Sequence, residues 1–293
     1  MTHAFATHLS AHYAKLSAQM QKAARWVLEH PQDAALLSMR EQARRAGVQP
    51  ATMTRLAQAL GFDGYDAVRA LHAQSMRHAQ QGLSGRAEER LPLQADSAEA
   101  AAQAMLTHAG AQIEQMTRPD LLDALAQAAQ ILGQARRVFS LGRRSSHAVA
   151  WHFHYALSLV SDRAHYLGDV AGSGLDPLLR AGPQDALLVC GVAPYTRSVV
   201  EAVAQAHAQR VQVVALTDGP LSPLIVPGAV ALIVPTDSAS FLHSMTPAFM
   251  IAEILAALVA RADDPATLAR LDGLDRQLAA LNTFFHDPKE VSP

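Results

Sequence analysis

From Arg136 onward, short apolar segments rich in β-branched residues alternate with helical patterns, and this alternation constrains the fold most. The predicted strands are Arg137–Leu141, Ala164–Leu167, Ala186–Val192, Val211–Thr217 and Val230–Pro235. The intervening helical patterns lie near Ser146–Val160, Thr196–Ala208 and Pro247–Ala262. Strands that alternate with helices form a mostly parallel sheet covered on both faces. The sequence therefore predicts a doubly wound, five-stranded α/β domain.

Ligands of such sheets bind beyond the carboxyl ends of the strands. The loops at this edge are Gly142–Ser146, Gly191–Arg197 and Thr236–Ser244, and two of them lead into predicted helices that offer hydroxyl groups and arginines. Arginine binds phosphate and carboxylate through charge-assisted hydrogen bonds. We expect an anionic ligand here, unless the arginines are solvated or lie at a subunit interface. The candidate ligand-binding residues are Gly142, Arg143, Arg144, Ser145, Ser146, His147, Tyr195, Thr196, Arg197, Ser238, Ser240 and His243.

The segment Ser38–Tyr65 has the pattern of two short helices joined by a tight turn. Ser38 with Glu41 forms a capping box at the first helix. Gly47 ends that helix, and Pro50 suits the first turn of the next one. An all-α helix-turn-helix bundle, whose second helix lies against DNA, is the prediction for the N-terminal region.

The candidate DNA contacts are side chains able to reach phosphates or base edges, with Thr52 and Arg55 as the leading pair. They are Arg40, Arg44, Arg45, Gln49, Thr52, Thr54, Arg55 and Gln58. Up to Gln80, nine lysines and arginines stand against five acidic residues, although the whole chain has a net charge of −2. This local positive excess favours contact with phosphates.

The length of 293 residues suits two domains. We predict a DNA-binding domain over 1–79, a linker over 80–96 and a ligand-binding domain over 97–285, which begins with helices near Ser97–Met116 and Pro119–Leu132. Apolar runs long enough for a membrane span or a signal peptide are absent from the sequence. The single cysteine, Cys190, indicates a buried thiol in a reducing compartment, so we expect a cytoplasmic protein.

The motif A-T-x-x-R-x-x-x-x-L-G-F-x-G-Y at Ala51–Tyr65, within a match over roughly Leu16–Leu71, resembles the helix-turn-helix domain of the MurR/RpiR family of bacterial regulators. Gln49 stands where that family usually has a capping serine. Residues from about Leu121 to Val259 resemble the sugar isomerase (SIS) domain that follows in the same family. The resemblance implies a transcription regulator that senses a sugar phosphate or related sugar acid and binds double-stranded operator DNA. It also implies a homodimer or homotetramer.

Two loop motifs depart from the SIS pattern. The expected G-x-G-x-S after the first strand is Gly142-Arg143-Arg144-Ser145-Ser146, with Arg144 in place of the second glycine. The expected S-x-S-G-x-T after the third strand is Gly191-Val192-Ala193-Pro194-Tyr195-Thr196, which keeps only the threonine. We therefore expect arginine, more than a serine-rich loop, to hold the anion.

Two other functions remain open. A sugar-phosphate isomerase needs a positioned acid or base, but Glu201 and Glu253 lie inside predicted helices, which leaves His243 as the candidate. A protein-binding adaptor is the other alternative. The 14 histidines lack zinc-ligand spacing, so we expect no metal, and nothing in the sequence implies a cofactor. A two-fold dimer predicts a palindromic operator.

Overall fold

The computed structural model describes residues 5, 9, 16–80, 97–168, 172–220, 222–238, 240–261 and 264–285. The predicted linker, apart from Gln80, and the tail after Phe285 lie outside these residues. The chain divides into two compact units. One comprises Met1–Ala111, Asp218–Ser222 and Pro235–Ser244, and the other comprises Gln112–Thr217, Pro223–Val234 and Met245–Pro293.

The first unit is built from short helices around an apolar core. They are α1 (Ala18–Glu29), α2 (Pro31–Leu36), α3 (Met39–Ala46), α4 (Pro50–Ala59) and α5 (Tyr65–Gln80). Pro31 begins α2 directly after α1 ends, because a proline at the first helical position loses no hydrogen bond. Val27, Met53, Leu56 and Leu60 are buried together in the core.

A buried polar network joins three segments of this unit. The Tyr65 hydroxyl donates a hydrogen bond to Gln42 Oε1. The amide nitrogen of Gln42 donates in turn to the carbonyl oxygens of Ala34 and Leu37, at 3.0 and 2.8 Å. Burial raises the pKa of Tyr65 well above its usual range, so the phenol remains protonated as the network requires. Because each buried polar group needs a partner, these bonds fix α2, α3 and α5 relative to one another.

The second unit contains a five-stranded parallel sheet. Its strands are β1 (Val138–Gly142), β2 (Ala164–Tyr166), β3 (Ala186–Gly191), β4 (Gln212–Thr217) and β5 (Val230–Ile233), in the order β2-β1-β3-β4-β5. Within the described residues, further helices are α6 (Ala98–Glu114), α7 (Pro119–Gln134), α8 (Ser145–Ser158), α9 (Arg197–Ala208), α10 (Thr246–Arg261) and α11 (Asp264–Ala280). The predicted α/β fold class is confirmed; α11 was not predicted.

Alternation along the strands gives the sheet two apolar faces. Val138, Leu188 and Val214 lie in one core with α7, α8 and α10. Their neighbours Phe139 and Leu187 lie in a second core with α9. Successive strand residues point to opposite faces, so two layers of helices are needed to bury a sheet of this composition. Cys190 lies in the first core, and its predicted burial is confirmed.

A buried carboxylate ties the starts of β1 and β3 together. Asp185, whose side chain is fully buried, accepts hydrogen bonds from Arg136 and Arg137 and from the amide of Gly182. Burial opposes ionisation, but these donors outweigh it and hold the pKa of Asp185 below its usual range. In the part of the chain that the structure describes, no helix is long and apolar enough to cross a membrane.

Replacing Asp185 by Asn should lower the free energy of unfolding by about 3 kcal/mol, because it leaves two arginines without their buried counter-charge. Asp162→Asn is the control, since its exposed pair with Arg270 is worth about 0.5 kcal/mol. The folded-state pKa of Asp185 is lowered, so its contribution is present above the unfolded pKa of about 4 and declines as the pH falls further. Urea unfolding of both variants at pH 7 and pH 3.5 measures this; equal losses at pH 7 would contradict it.

Candidate functional site

Helices α3 and α4 form the predicted helix-turn-helix. The hydroxyl of Ser38 accepts a hydrogen bond from the amide of Glu41, which caps α3. Gly47 ends the helix with φ of 63°, a left-handed conformation that suits glycine, and its carbonyl accepts from Lys22 Nζ. Gln49 precedes α4 without making a side-chain capping bond, as expected for a glutamine in this position.

The predicted DNA contacts on α4 divide between two faces. Gln49, Arg55 and Gln58 are exposed. Thr54 is half-buried, and its hydroxyl donates a hydrogen bond to Met39 Sδ. Thr52 is only 3% exposed, so its predicted position on the outward face is wrong. It lies one turn before buried Leu56, and the apolar face of α4 is wide because this helix packs against α1, α3 and α5.

The predicted contacts on α3 are already paired with carboxylates. Arg44 and Arg45 both bind Glu41, and Arg45 also binds Asp33 at 2.8 Å. These hydrogen bonds lower the pKa of Glu41 to about 2. Arg40 is exposed. Arg40 and Arg55, the other arginines on α3 and α4, form no ion pair within the described residues. Their charges are therefore not neutralised by a neighbouring carboxylate there.

In the α/β unit, the loops after β1 and β3 lie on either side of a topological switch point. In the order β2-β1-β3-β4, the chain passes from β1 to β2 on one side and from β3 to β4 on the other side, so the two connections run in opposite directions. The helices that follow these strands, α8 and α9, belong to opposite cores. A crevice between such loops is the usual ligand site of an open parallel sheet.

The close approach of α8 to β1 requires a glycine at position 142. A Cβ atom on Gly142 would lie 2.2 Å from the carbonyl oxygen of Ser146. Ser146 is consequently buried, whereas Ser145 and His147 are exposed at the start of the helix. The structure brings these predicted residues together at the carboxyl end of β1.

Arg143 is held in place by main-chain oxygens. Its Nη1 donates to the carbonyl of Leu167, at 2.7 Å, and to that of Gly142, at 3.2 Å. Both carbonyls lie at the carboxyl edge of the sheet, just beyond β2 and at the end of β1. Since a guanidinium carries five N–H donors, the bonds made by Nη1 leave donors on Nε and Nη2 for a ligand.

Tyr166, which the sequence analysis missed, completes this cluster. Its hydroxyl is hydrogen-bonded to His147 Nδ1, and its ring also contacts His154, 5.7 Å away between centroids. Burial raises the pKa of Tyr166, and the positive charge of Arg143 acts in the opposite direction. The position of Tyr166 at the end of a predicted strand was the available signal. His147 and His154, seven residues apart, share the face that meets this ring.

Arg144 has an unfavourable backbone conformation. Its φ is 54° and its ψ is −131°, at the position where the SIS pattern has glycine. A side chain with positive φ costs about 1–2 kcal/mol, because Cβ crowds the following carbonyl. The glycine conformation is retained although the glycine is absent, and the exposed guanidinium lies directly before α8.

Tyr195, Thr196 and Arg197 follow β3. Thr196 precedes α9 and makes no side-chain capping bond, so its hydroxyl is not used by the helix. Arg197 is exposed at the first position of α9. The Thr217 hydroxyl donates to the carbonyl of Gly191, at 2.7 Å, and so joins the ends of β3 and β4 beneath this loop.

Ser238, Ser240 and His243 follow β5 in residues 235–244, which cluster with the helical unit. The hydroxyl of Ser238 accepts from the amide of Ser240, and that of Ser240 accepts from the amide of Leu242. The loop is closed by a bond from the Ser244 amide to the Thr236 carbonyl. These serines organise their own loop, and the site described above consists of residues of the α/β unit alone.

Two family models match the chain. The model of the helix-turn-helix domain of the rpiR family matches residues 3–78, and that of the SIS domain matches residues 131–258. A search of curated proteins finds no match.

Solved structures resemble the chain in fold. The sugar isomerase domain of an RpiR transcription factor from Sphaerobacter thermophilus is 26% identical with a TM-score of 0.55, and the match covers 60% of this chain and 98% of that one. The Vibrio vulnificus NanR protein complexed with ManNAc-6P is 17% identical with a TM-score of 0.54, covering 94% and 98%. A phosphoheptose isomerase from Francisella tularensis is 22% identical, with a TM-score of 0.46, covering 56% and 99%.

The fold thus defines a class of protein with a helix-turn-helix domain followed by a parallel α/β domain. The chain carries an rpiR-family helix-turn-helix domain at its N-terminus and a SIS domain at its C-terminus, and the predicted resemblance is confirmed.

Replacing Arg144 by Gly should raise the free energy of unfolding by about 1 kcal/mol. The gain from relieving the positive φ exceeds the cost of a more flexible unfolded chain. Arg197→Gly is the matched control, because it removes the same charge at a helical position and should destabilise by up to about 1 kcal/mol. Thermal unfolding of both variants tests this; a lower midpoint for Arg144→Gly would mean that the arginine side chain stabilises the loop.

Proposed function

We propose that this protein is a sugar-responsive transcription regulator in which the helix-turn-helix reads operator DNA and the crevice after β1 and β3 binds a small anionic metabolite. The observation that carries the proposal is the joint presence of an rpiR-type helix-turn-helix and a SIS domain. The ligand class is a sugar phosphate or a related sugar acid. Effector binding alters operator affinity by favouring one arrangement of the recognition helices.

The exposed face of α4 supports the assignment of the DNA contacts. Gln49, Arg55 and Gln58 are exposed on the same helix, and these side-chain types bind guanine and adenine edges or phosphates. Arg40 and Arg44, both exposed, are proposed to contact the backbone, with Arg45 beside them. Thr52 leaves the proposed set because its side chain is buried.

Replacing Arg55 by Ala should weaken specific operator binding roughly 5- to 150-fold, the range for losing one bidentate base contact. Arg276→Ala removes the same charge from an exposed position on α11 and should leave affinity unchanged. Selection of the operator from a random DNA pool comes first, and failure to select any site favours a protein-binding adaptor. Titrations at fixed salt then compare the variants; equal affinity would remove Arg55 from the interface.

The geometry of Arg143 supports an anionic effector. The guanidinium is half-buried at the carboxyl ends of β1 and β2, and its orientation is fixed by two carbonyls before any ligand arrives. Such preorganisation reduces the entropy lost on binding. Ser145, Thr196 and Arg197 add further donors at the starts of two helices, where backbone N–H groups also favour anions.

Arg143→Ala should weaken effector binding by at least tenfold, since charge-assisted bonds to an anion are worth about 1.5–3 kcal/mol. Arg163→Ala is the matched control: Arg163 is also half-buried and donates to two main-chain carbonyls, those of Gly133 and Ala135, but it precedes β2. A thermal-shift screen of sugar phosphates, sugar acids and free sugars identifies the ligand. Selective binding of a neutral sugar by wild type and Arg143→Ala alike would overturn the anionic assignment.

The proposal excludes an isomerase activity. Glu201 is exposed within α9, and Glu253 lies within α10 paired with His152 at 3.2 Å. Neither follows a strand, as a catalytic group of this fold would. His243, the base that the sequence left as a candidate, lies in residues 235–244, which cluster with the helical unit and not with the α/β unit. Turnover of a phosphosugar by the purified protein would restore the enzyme hypothesis.

A homodimer or homotetramer acting on a palindromic operator completes the proposal.

A further inference from the structure

A cavity of about 310 Å³ lies at the amino-terminal edge of the sheet, at the opposite end of β2 from the proposed effector site. Its walls come from the end of α8 and the residues that follow it, from the end of α10 and from the first half of α11. All of its lining residues belong to the α/β unit. The volume lies at the lower end of the range for small-molecule sites, so the cavity has room for a small organic ligand.

Arg163 brings to this cavity a positive charge that lacks a counter-charge. Its Nη1 donates hydrogen bonds to the carbonyls of Gly133 and Ala135, both at 2.7 Å, and its Nε donates to Ser161 Oγ at 3.1 Å. These partners are neutral, and Arg163 forms no ion pair within the described residues. The two N–H donors of Nη2 remain for a ligand. Because a half-buried charge without a counter-charge is unfavourable, the cavity favours an anion.

Arg270 adds a second guanidinium to the lining, from α11. Its Nη1 donates to Asp162 Oδ2 at 2.7 Å, which leaves the donors of Nε and Nη2. The lining thus holds two arginines against one carboxylate, which leaves it with a positive excess. Thr267 donates to the carbonyl of Ala260, at 2.9 Å, and so joins α11 to α10 beside the cavity. These two bonds hold α11 in place as one wall.

The rest of the lining is apolar. Leu157 and Val259 belong to the core that α7, α8 and α10 share, and Val160 and Ala260 are half-buried at the cavity. A sugar phosphate would place hydroxyl groups against these side chains without hydrogen-bond partners, which is unfavourable. An acid with an apolar body instead buries carbon against them and places its charge on arginine. The lining therefore selects a ligand unlike the one proposed for the carboxyl edge of the sheet.

We propose that this cavity is a second ligand site, which binds a small organic acid with an apolar body through Arg163. The inference does not depend on the proposed effector, because the two sites lie at opposite ends of β2 and share no residue. Since Arg270 comes from α11, a bound acid that contacts both arginines also links this helix to the start of β2.

Calorimetric titration of the full-length protein with hexanoate, phenylacetate and the two corresponding amides tests the role of charge. Each carboxylate should bind more tightly than its amide. Arg163→Gln should weaken carboxylate binding by roughly tenfold or more, the usual loss for a charge-assisted hydrogen bond to an anion. Absence of carboxylate binding, or equal affinities of wild type and Arg163→Gln, would overturn the proposal.

Arg143→Ala is the control that separates the two sites. It removes a guanidinium that is also half-buried and bonded to two carbonyls, but at the carboxyl edge of the sheet. Carboxylate binding should therefore be unchanged in this variant, whatever happens to effector binding. Loss of carboxylate binding in Arg143→Ala alone would assign the acid to the effector site and overturn the proposal.

Filling the cavity tests its location without removing a charge. Ala260→Leu adds side-chain volume at a lining position of α10 and should abolish carboxylate binding. Ala257→Leu makes the same change at an exposed position of that helix, outside the lining, and should bind as wild type does. Thermal unfolding of both variants without ligand checks that each is folded. Equal carboxylate binding by the two leucine variants would contradict the assignment to this cavity.

Discussion

The geometry of the proposed effector site depends on the contact between Gly142 and the first turn of α8. Because glycine has no Cβ, the carbonyl of Ser146 can approach the end of β1 to a distance that any side chain would block. That approach directs the start of α8 at the carboxyl edge of the sheet and turns His147 toward Tyr166. The loop between strand and helix is then too short to relax, so Arg143 and Arg144 must take the conformations that the two ends allow.

The same short loop has opposite energetic effects on these two arginines. Arg143 is stabilised, because its guanidinium donates hydrogen bonds to two carbonyls. These bonds offset the loss of side-chain entropy before a ligand binds. Arg144 lowers the stability of the fold, because it adopts a positive φ that glycine would adopt without strain. A residue that costs stability at a ligand loop is expected where binding needs its side chain. If Arg144 binds the proposed effector, the departure from the SIS pattern exchanges some stability for a cation in the loop after β1.

Local patterns predicted most of the fold, and long-range contacts explain what they missed. The five strands and the Ser38 cap follow from residues adjacent in sequence, and the structure has them within a few positions. Pairing of Arg45 with Asp33 joins residues twelve apart, and burial of Thr52 depends on three neighbouring helices. The Tyr166–His147 contact likewise requires the register of β2 beside β1. Such features depend on tertiary packing, which periodicity alone does not encode.

The proposed DNA contacts of the helical unit carry little charge that is not already paired. Its net charge up to Gln80 is only +4, and Glu41 and Asp33 already neutralise much of Arg44 and Arg45. A phosphate that recruits either arginine must displace a carboxylate, so the electrostatic gain per contact is smaller than for a free arginine. We therefore expect one unit alone to bind DNA weakly. Linking two units converts the second binding event into an intramolecular one and raises avidity by orders of magnitude without a new contact. We therefore expect the proposed homo-oligomer to bind its operator far more tightly than one unit does, whichever surfaces form the pair.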